Sequence, residues 1–152
     1  MGTDAAALVR QFFERVEAGD AADATAELFA EDAVMEIPFS SPPLSPEVAP
    51  PRIEGRKAIA DFWRGISETL QPGGSMRWSL LRPLEDPTWC LGEAEGAYRR
   101  LDGTPYRNRY CVVARVEGGR IAEYREYSNP LCILETFVGD VGVGEADSGS
   151  RS

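Results

Sequence analysis

Four strand-like segments follow one another between residues 77 and 127, and this run restricts the fold more than any other feature. The connections between the segments are short, and two of them contain the dipeptides Asp102-Gly103 and Gly118-Gly119. Such dipeptides supply the positive backbone torsion angles that tight hairpins require. The pattern therefore predicts an antiparallel meander with strands at 77–84, 88–100, 106–116 and 120–127.

Three helical segments precede the meander. Residues 5–18 and a stretch that begins at Gly55-Arg56 carry apolar side chains at helical spacing, and an alanine-rich helix is predicted at about 21–30. Between the second and third helices, residues 34–39 alternate with period two, which is typical of a strand. This order predicts an α+β domain in which three N-terminal helices pack on a curved antiparallel sheet, formed by the meander and one N-terminal strand.

The segment between the lone strand and the third helix contains six prolines from Pro38 to Pro51. Proline removes an amide donor and fixes one backbone torsion, so this composition predicts a stiff loop, which we place at 38–54. The loop is either a lid over a pocket or a solvated insertion without a role. We also predict a short helix at 131–138, a single domain over 1–138, and a disordered tail over 139–152 because that stretch is poor in apolar residues.

The chain has 152 residues and no histidine, which excludes a Ser-His-Asp triad, a Cys-His dyad, a histidine base and the usual zinc and haem ligand sets. With 25 acidic and 16 basic residues, the net charge is −9, which argues against a nucleic-acid partner. The three cysteines form no CxxC pair, so we expect no metal site. Neither a signal peptide nor an apolar run of membrane-spanning length is visible, and we expect a cytoplasmic protein without a membrane partner.

Three short motifs occur in an order that resembles a known family. The segment from Val116 to Pro130 reads VEGGRIAEYREYSNP. It is similar to the "G-K/R-I-x-x-x-R-E-aromatic-x-N/D-P" ending of SnoaL-like and phenazine biosynthesis A/B proteins. The segment from Phe29 to Ala33 and the pair Gly55-Arg56 are similar to motifs that precede the first strand and the third helix of those proteins. Over about residues 5–138 the chain thus resembles the nuclear transport factor 2-like superfamily, which implies a cone-shaped sheet that encloses a deep pocket.

Glu126 is the first candidate for catalysis. Period-two alternation puts it on the same side of its strand as Tyr124 and Ala122. The resemblance implies that this side faces the pocket, where related proteins carry an acidic residue on the floor. A carboxyl group in an apolar pocket resists ionisation, so its pKa rises and it can act as a general acid near neutral pH. The alternative is a salt bridge from Glu126 to Arg107 or Arg109 on the adjacent strand.

Two further carboxylates, Glu93 and Glu95, share one face of the second meander strand, about where epoxide hydrolases of the superfamily keep an Arg and an Asp. If that face is inward, both couple to Glu126 as catalytic partners, whereas a register shift of one residue turns them towards solvent. On the third strand, Tyr110 is a candidate catalytic donor to a developing oxyanion, and Asn108 would orient it and contact the substrate. Their alternatives are structural: Tyr110 as a strand former and Asn108 as a partner of a backbone group.

An apolar and aromatic wall is expected around these polar groups. The residues predicted to contact the substrate there are Ile37, Phe39, Trp63, Trp78, Trp89 and Tyr124. The alternative for the aromatic residues is a place in the core. The positions that correspond to the base, the oxyanion tyrosine and the neutral aspartate of ketosteroid isomerases hold Ile37, Phe12 and Val112. The histidine of the phenazine proteins corresponds to Phe62.

The resemblance and the carboxylates together imply a cofactor-independent small-molecule enzyme of secondary metabolism, such as antibiotic biosynthesis. It would use carboxylate acid/base chemistry for cyclisation, isomerisation or hydrolysis of a small apolar or polycyclic oxygenated substrate. Two alternatives stay open: a non-catalytic carrier for a hydrophobic ligand, and an accessory subunit that dimerises with an active homologue. A homodimer is expected through the outer face of the sheet, where Arg107, Arg109 and Arg115 alternate and Glu123 offers an acidic partner.

Overall fold

The computed structural model describes residues 4–41, 44 and 48–138, and these contain four helices and six strands. In chain order the elements are α1 (Ala5–Glu17), α2 (Ala21–Leu28), β1 (Phe29–Glu36), β2 (Arg52–Glu54), α3 (Arg56–Thr69), β3 (Ser75–Pro83), β4 (Trp89–Arg99), β5 (Pro105–Glu117), β6 (Arg120–Ser128) and α4 (Pro130–Phe137). The predicted α+β class is confirmed, and the four meander strands differ from their predicted bounds by at most two residues. The tail predicted at 139–152 lies outside the described residues.

All six strands form one curved sheet in the order β2-β1-β6-β5-β4-β3. The meander strands pair antiparallel, as do β1 and β2, whereas β1 runs parallel to β6. The prediction of a purely antiparallel sheet is therefore wrong at this one pairing. Side-chain alternation within a strand reports which face is buried and carries no information on the direction of the neighbouring strand.

The predicted loop at 38–54 also needs a correction, because its last three residues form β2. They pair with residues 34–36 of β1. The Arg52 guanidinium bonds to the carboxylates of Glu36 and Glu54, each at 2.9 Å. A strand of three residues is too short to show a period, so only its proline-rich surroundings were visible in the sequence.

The junction between α2 and β1 comes earlier than predicted. The helix ends at Leu28 because Phe29 has extended torsion angles, φ −94° and ψ 147°, and the strand begins at once. The pairing register with β6 shifts between Phe29 and Val34. This irregularity interrupts the alternation, so the sequence revealed only the regular half of the strand after Val34.

The helices cover one face of the sheet, which we call the inner face, and bury the core there. Phe12 and Phe13 of α1 meet Trp63 of α3 and Tyr124 of β6, with ring centroids 5.3 to 6.5 Å apart. Edge-on and tilted contacts of this kind add about 0.5–1.5 kcal/mol per pair beyond the area that they bury. Among the described helices, none is long and apolar enough to cross a membrane.

From Cys90 to Gly96 the inner face of β4 carries almost no side-chain volume. Its residues there are Cys90, Gly92, Ala94 and Gly96, and the row ends at Tyr98. A Cβ atom added at Gly92 would lie 2.5 Å from the Trp78 ring, and one added at Gly96 would lie 2.8 Å from the Tyr110 ring. Aromatic side chains therefore occupy the space above these two glycines: Trp78 from β3 at Gly92, and Tyr110 from β5 together with Tyr98 of β4 at Gly96.

Replacing Gly92 by alanine is expected to lower the free energy of unfolding by about 1–3 kcal/mol, because the new methyl group must displace the Trp78 ring. Gly65, on the exposed side of α3, is the matched control, since a Cβ added there meets nothing within 4 Å. Gly65→Ala should raise the free energy of unfolding by about 0.5–1 kcal/mol by reducing backbone freedom. Urea denaturation measures both, and effects of the same sign would contradict the close packing at Gly92.

Candidate active site

A cavity of about 370 Å³ lies between the helices and the inner face of the sheet. Its walls are mostly apolar: Phe13 and Val16 come from α1, and Phe62, Trp63 and Ile66 come from α3. A volume of this size is typical of small-molecule sites. The cavity can therefore enclose a compact apolar ligand.

Segments from two other parts of the chain close the cavity. Ala49 of the proline-rich segment and Ile133 of α4 line it. Both belong to a small hydrophobic cluster with the buried residues Leu44 and Leu134. The alternative of a solvated insertion is wrong for these loop residues, because Leu44 and Ala49 are buried. Their position supports the lid alternative, which stays a prediction.

Glu126 lines this cavity from β6, where it lies opposite Val112 of β5. Its Oε1 accepts a hydrogen bond from the Tyr124 hydroxyl at 3.1 Å. Burial raises the pKa of the Glu126 carboxyl from 4.5 to about 7, and the bond from Tyr124 partly opposes that rise. The protonated and ionised forms of this group are thus both populated near neutral pH.

No cation offsets the burial of Glu126 within the described part of the chain. The alternative of an ion pair with Arg107 or Arg109 is wrong, because both arginines are exposed on the opposite, outer face. Glu126 takes part in no salt bridge among the described residues. Residues 4–41, 44 and 48–138 likewise contain no group of three or more His, Cys, Asp or Glu that could hold a metal ion.

Three phenols line the same cavity. Tyr98 comes from β4, and Tyr106 and Tyr110 come from β5. The Tyr110 hydroxyl donates a hydrogen bond to the Tyr106 oxygen at 3.0 Å. Burial raises the pKa of Tyr106 to about 12 and that of Tyr110 well above its ordinary value. Both hydroxyls therefore keep their protons at neutral pH, and the Tyr110 proton is engaged with the Tyr106 oxygen.

Asn108 is buried beside these phenols and is not part of the cavity lining. Its Oδ1 accepts from the backbone N–H groups of Arg109 at 2.8 Å and Asn129 at 3.1 Å. Its Nδ2 donates to the Tyr106 oxygen and to the carbonyl of Asn129, each at 3.1 Å. The structural alternative for Asn108 is confirmed, and the hydroxyl that it holds belongs to Tyr106 rather than Tyr110.

Glu93 and Glu95 lie on the outer face, so the prediction that they share a pocket with Glu126 is wrong. Glu93 is exposed, and Glu95 pairs with the Arg77 guanidinium at 2.9 Å. The register of β4 differs by one residue from the predicted one, which exchanges its two faces. The true inner positions are so small that they carried little hydrophobic signal in the sequence.

Phe39 and Trp89 also lie outside the cavity, which contradicts the prediction that they contact the substrate there. Trp89 shares the outer face of β4, where the guanidinium groups of Arg115 and Arg125 lie 5.9 and 5.5 Å from its ring centre. Phe39 is 55% exposed and packs on Tyr127 with ring centroids 5.4 Å apart. It follows the end of β1, where strand alternation no longer sets the direction of a side chain.

The other four predicted wall residues divide between lining and support. Ile37 and Trp63 line the cavity. Trp78 packs on Phe13 with centroids 5.4 Å apart and is not part of the lining. Tyr124 is fully buried and reaches the site only through its hydroxyl bond to Glu126. The indole Nε1 of Trp63 is buried and has no acceptor within the described residues.

Two lining phenols, Tyr98 and Tyr106, were not among the predicted site residues. Tyr98 ends the row of small residues on the inner face of β4, and a row of that kind indicates a face covered by bulky partners. Tyr106 precedes Asn108 and Tyr110 in the same alternation on β5. The period-two alternation of β4 and β5 was therefore the sequence signal that could have placed both tyrosines on the inner face.

The sequence matches a known family over most of its length. A family profile described as "SnoaL-like domain" covers residues 9–124. The protein YesE of Bacillus subtilis is 33% identical over 113 residues, which is 74% of each chain. The PhzA/B-like protein PA3332 of Pseudomonas aeruginosa is 31% identical over 116 residues, 74% of this chain and 76% of that one.

Solved structures share the fold. A Bacillus subtilis protein provisionally named an isomerase superposes with a TM-score of 0.73 at 29% identity, covering 87% of this chain and 91% of that one. A Pseudomonas putida protein provisionally named a polyketide cyclase has a TM-score of 0.69 at 19% identity, and the match covers 89% of this chain and 98% of that one. An epoxide hydrolase from M. tuberculosis has a TM-score of 0.65 at 20% identity, with 84% of each chain covered. The last two likenesses concern the fold alone.

The raised pKa of Glu126 makes a prediction about stability. The unfolded carboxyl ionises near pH 4.5, whereas the folded one keeps its proton up to about pH 7, so the folded state binds more protons in this window. The free energy of unfolding should fall by about 2–3 kcal/mol as pH rises from 4.5 to 7, and Glu126→Gln should remove this decline. Urea denaturation across that range measures it, with Glu93→Gln as the exposed control. Parallel pH profiles for wild type and Glu126→Gln would contradict the assignment.

Proposed function

The chain belongs to the SnoaL-like family, and we propose that it is a small-molecule enzyme in which Glu126 moves a proton on an apolar, oxygenated substrate. The observation that carries this proposal is the Glu126 carboxyl group, with a pKa of about 7, in a mostly apolar cavity. The second carboxylate of the lining, Glu17, is exposed and accepts a hydrogen bond from the Met76 backbone N–H group. A group with this pKa serves as base and as acid at the same pH.

The proposed step is proton abstraction next to a carbonyl group. The ionised Glu126 carboxylate takes a proton from the carbon beside the carbonyl, and the C–H electron pair moves to form an enolate. The now neutral carboxyl returns the proton to the same carbon, to another carbon of the conjugated system, or to oxygen. Every proton and electron pair stays within the substrate and Glu126, so the step needs no second reactant. Isomerisation and aldol-type cyclisation both begin in this way.

Among the reaction classes expected from the sequence, isomerisation and cyclisation fit the site better than hydrolysis. Hydrolysis of an epoxide requires polar groups that position a water molecule as well as an acid. Glu93 and Glu95, which were predicted as carboxylate partners of Glu126 near the positions of the Arg and Asp of epoxide hydrolases, lie on the outer face of the sheet. The polar groups that line the cavity with Glu126 include three phenols, which suit a developing enolate oxygen. We accordingly propose a role in secondary metabolism on polycyclic ketones that the cavity can hold.

Replacing Glu126 by glutamine is expected to lower the protein-dependent rate of α-proton exchange at least 100-fold, because glutamine cannot accept the proton. The rate is measured by NMR in D2O on the enolisable ketones 2-tetralone, 2-indanone and anthrone. Glu93→Gln is the matched control and should keep the wild-type rate. Binding of the same ketones, measured by calorimetry, should survive in Glu126→Gln.

This design separates the enzyme from its alternatives. A carrier would bind the ketones equally well in both forms and catalyse no exchange in either. An accessory subunit would do the same until an active homologue is added. Exchange that is equal in wild type and Glu126→Gln would contradict the proposed role of the carboxyl.

We also propose that the outer face of the sheet contacts a second copy of the chain. The cleft there combines the basic residues Arg77 and Arg109 with the acidic residues Glu93 and Glu95, and the exposed ring of Phe39 lies at the same place. A surface with both signs of charge and an exposed aromatic ring can pair with its own copy across a two-fold axis, which is the commonest symmetry of oligomers.

The substitution Phe39→Glu is expected to convert a dimer into a monomer, because it places an added negative charge and a desolvated carboxylate in the paired surface. Light scattering coupled to size-exclusion chromatography measures the mass. Leu131→Glu is the control, since Leu131 is also a large exposed apolar residue but belongs to α4. A monomeric wild type, or equal effects of the two substitutions, would contradict this interface.

A further inference from the structure

The hydrogen bonds around Tyr106 begin at Asn108, whose amide orientation is fixed by its own partners. The Oδ1 of Asn108 faces two backbone N–H groups, at 2.8 and 3.1 Å, and both of these can only donate. The amide orientation is thereby determined, and Nδ2 must be the atom that points to the Tyr106 oxygen at 3.1 Å. The Tyr106 oxygen is therefore an acceptor from Asn108.

The Tyr106 oxygen accepts a second hydrogen bond from Tyr110, at 3.0 Å. A phenol oxygen that accepts two hydrogen bonds still has one proton to donate. Within the described ranges, no protein group accepts that proton. Tyr106 is buried and also lines the cavity, so its O–H group is a donor without a protein partner at the wall of a ligand site.

Tyr106 and Glu126 lie on the same face of two paired strands. Tyr110, whose hydroxyl reaches Tyr106, is paired with Ser128 of β6, and Glu126 is paired with Val112. Tyr110 and Glu126 are thus diagonal neighbours in the antiparallel ladder, a separation of about 7–8 Å that long side chains bridge. A ligand in the cavity can contact the phenol pair and the carboxyl group together.

We infer that Tyr106 donates a hydrogen bond to a carbonyl oxygen of the ligand, while Tyr110 and Asn108 act as positioning residues that fix the direction of this donor. The inference rests on the proposed function, because it names the substrate class of the same cavity: ketones and other acceptors of a hydrogen bond. Tyr106 takes the place predicted for Tyr110, whose proton is already used within the protein. An unpaired buried donor favours a ligand that supplies an acceptor and disfavours the same skeleton without oxygen.

The matched ligands 2-tetralone and tetralin, which share a bicyclic skeleton and differ in the carbonyl oxygen, test this inference. Wild type should bind 2-tetralone about tenfold more tightly than tetralin, as expected for one well-placed hydrogen bond. The infrared C=O stretch of the bound ketone should lie at lower frequency than in an apolar solvent. Tyr106→Phe should abolish both the preference and the frequency shift and leave tetralin affinity unchanged.

Tyr110→Phe is the matched variant on the same strand. It removes a hydrogen bond that supports Tyr106 and leaves the Tyr106 proton in place, so the frequency shift should persist and the ketone preference should fall by no more than about threefold. Loss of the shift in Tyr110→Phe with retention in Tyr106→Phe would overturn the assignment. A wild type without ketone preference would overturn it as well.

A second variant that keeps the hydroxyl group tests the inference even if Tyr106→Phe fails to fold. Incorporation of 3-fluorotyrosine at position 106 keeps the hydroxyl and makes it a stronger donor, so the bound C=O stretch should move to still lower frequency. The same replacement at position 110 should change it less, and equal changes would overturn the inference. Glu126→Gln separates the two proposals: it should retain the shift, and a full exchange rate in that variant would reject the proposed function while leaving the Tyr106 contact standing.

Discussion

The site exists because the inner face of β4 is nearly bare. Every inward position from Cys90 to Gly96 is small, and protein interiors pack to a uniform density, so bulky groups from elsewhere must fill the space above them. Trp78 does so over Gly92, and the phenol of Tyr110 does so over Gly96. Aromatic rings with polar ends are suited to this position, because the ring packs on the sheet while the hydroxyl reaches the cavity.

This packing also decides the charge state of Glu126. The carboxyl group lies in a cavity lined mostly by rings and aliphatic side chains, and its hydrogen bond from the side chain of Tyr124 does not restore the solvation that burial removes. The pKa therefore rises to about 7. The fold thus maintains an acid that is half ionised at the pH of most biological fluids, which is a less stable arrangement than an exposed carboxylate.

The turn chemistry made most of the fold predictable. Gly103, Gly118 and Gly119 all adopt positive φ, so the dipeptides that contain them fixed the hairpins of the meander. The side of β6 that carries Glu126 followed from alternation together with the family resemblance. Which face of β4 points inward could not be predicted, because its inner residues are too small to give a hydrophobic signal. The family resemblance, in turn, placed Glu93 and Glu95 inward. The donor role of Tyr106 depends on which hydroxyl accepts from Asn108, and a sequence pattern does not encode that direction.

The separation of arginines from phenols connects the fold to the proposed chemistry. Within the described residues, neither Arg nor Lys lines the cavity, although the chain contains 16 basic residues. A guanidinium group beside Glu126 would stabilise an enolate strongly, but it would also lower the pKa of the carboxyl, which would then hold no proton to return near neutral pH. Phenol hydroxyls stabilise developing negative charge as neutral donors and leave that pKa high. A site that uses one carboxyl both to remove and to return a proton needs a donor of this kind. Tyr106 offers one, and Tyr110 supports it by donating a hydrogen bond to its oxygen.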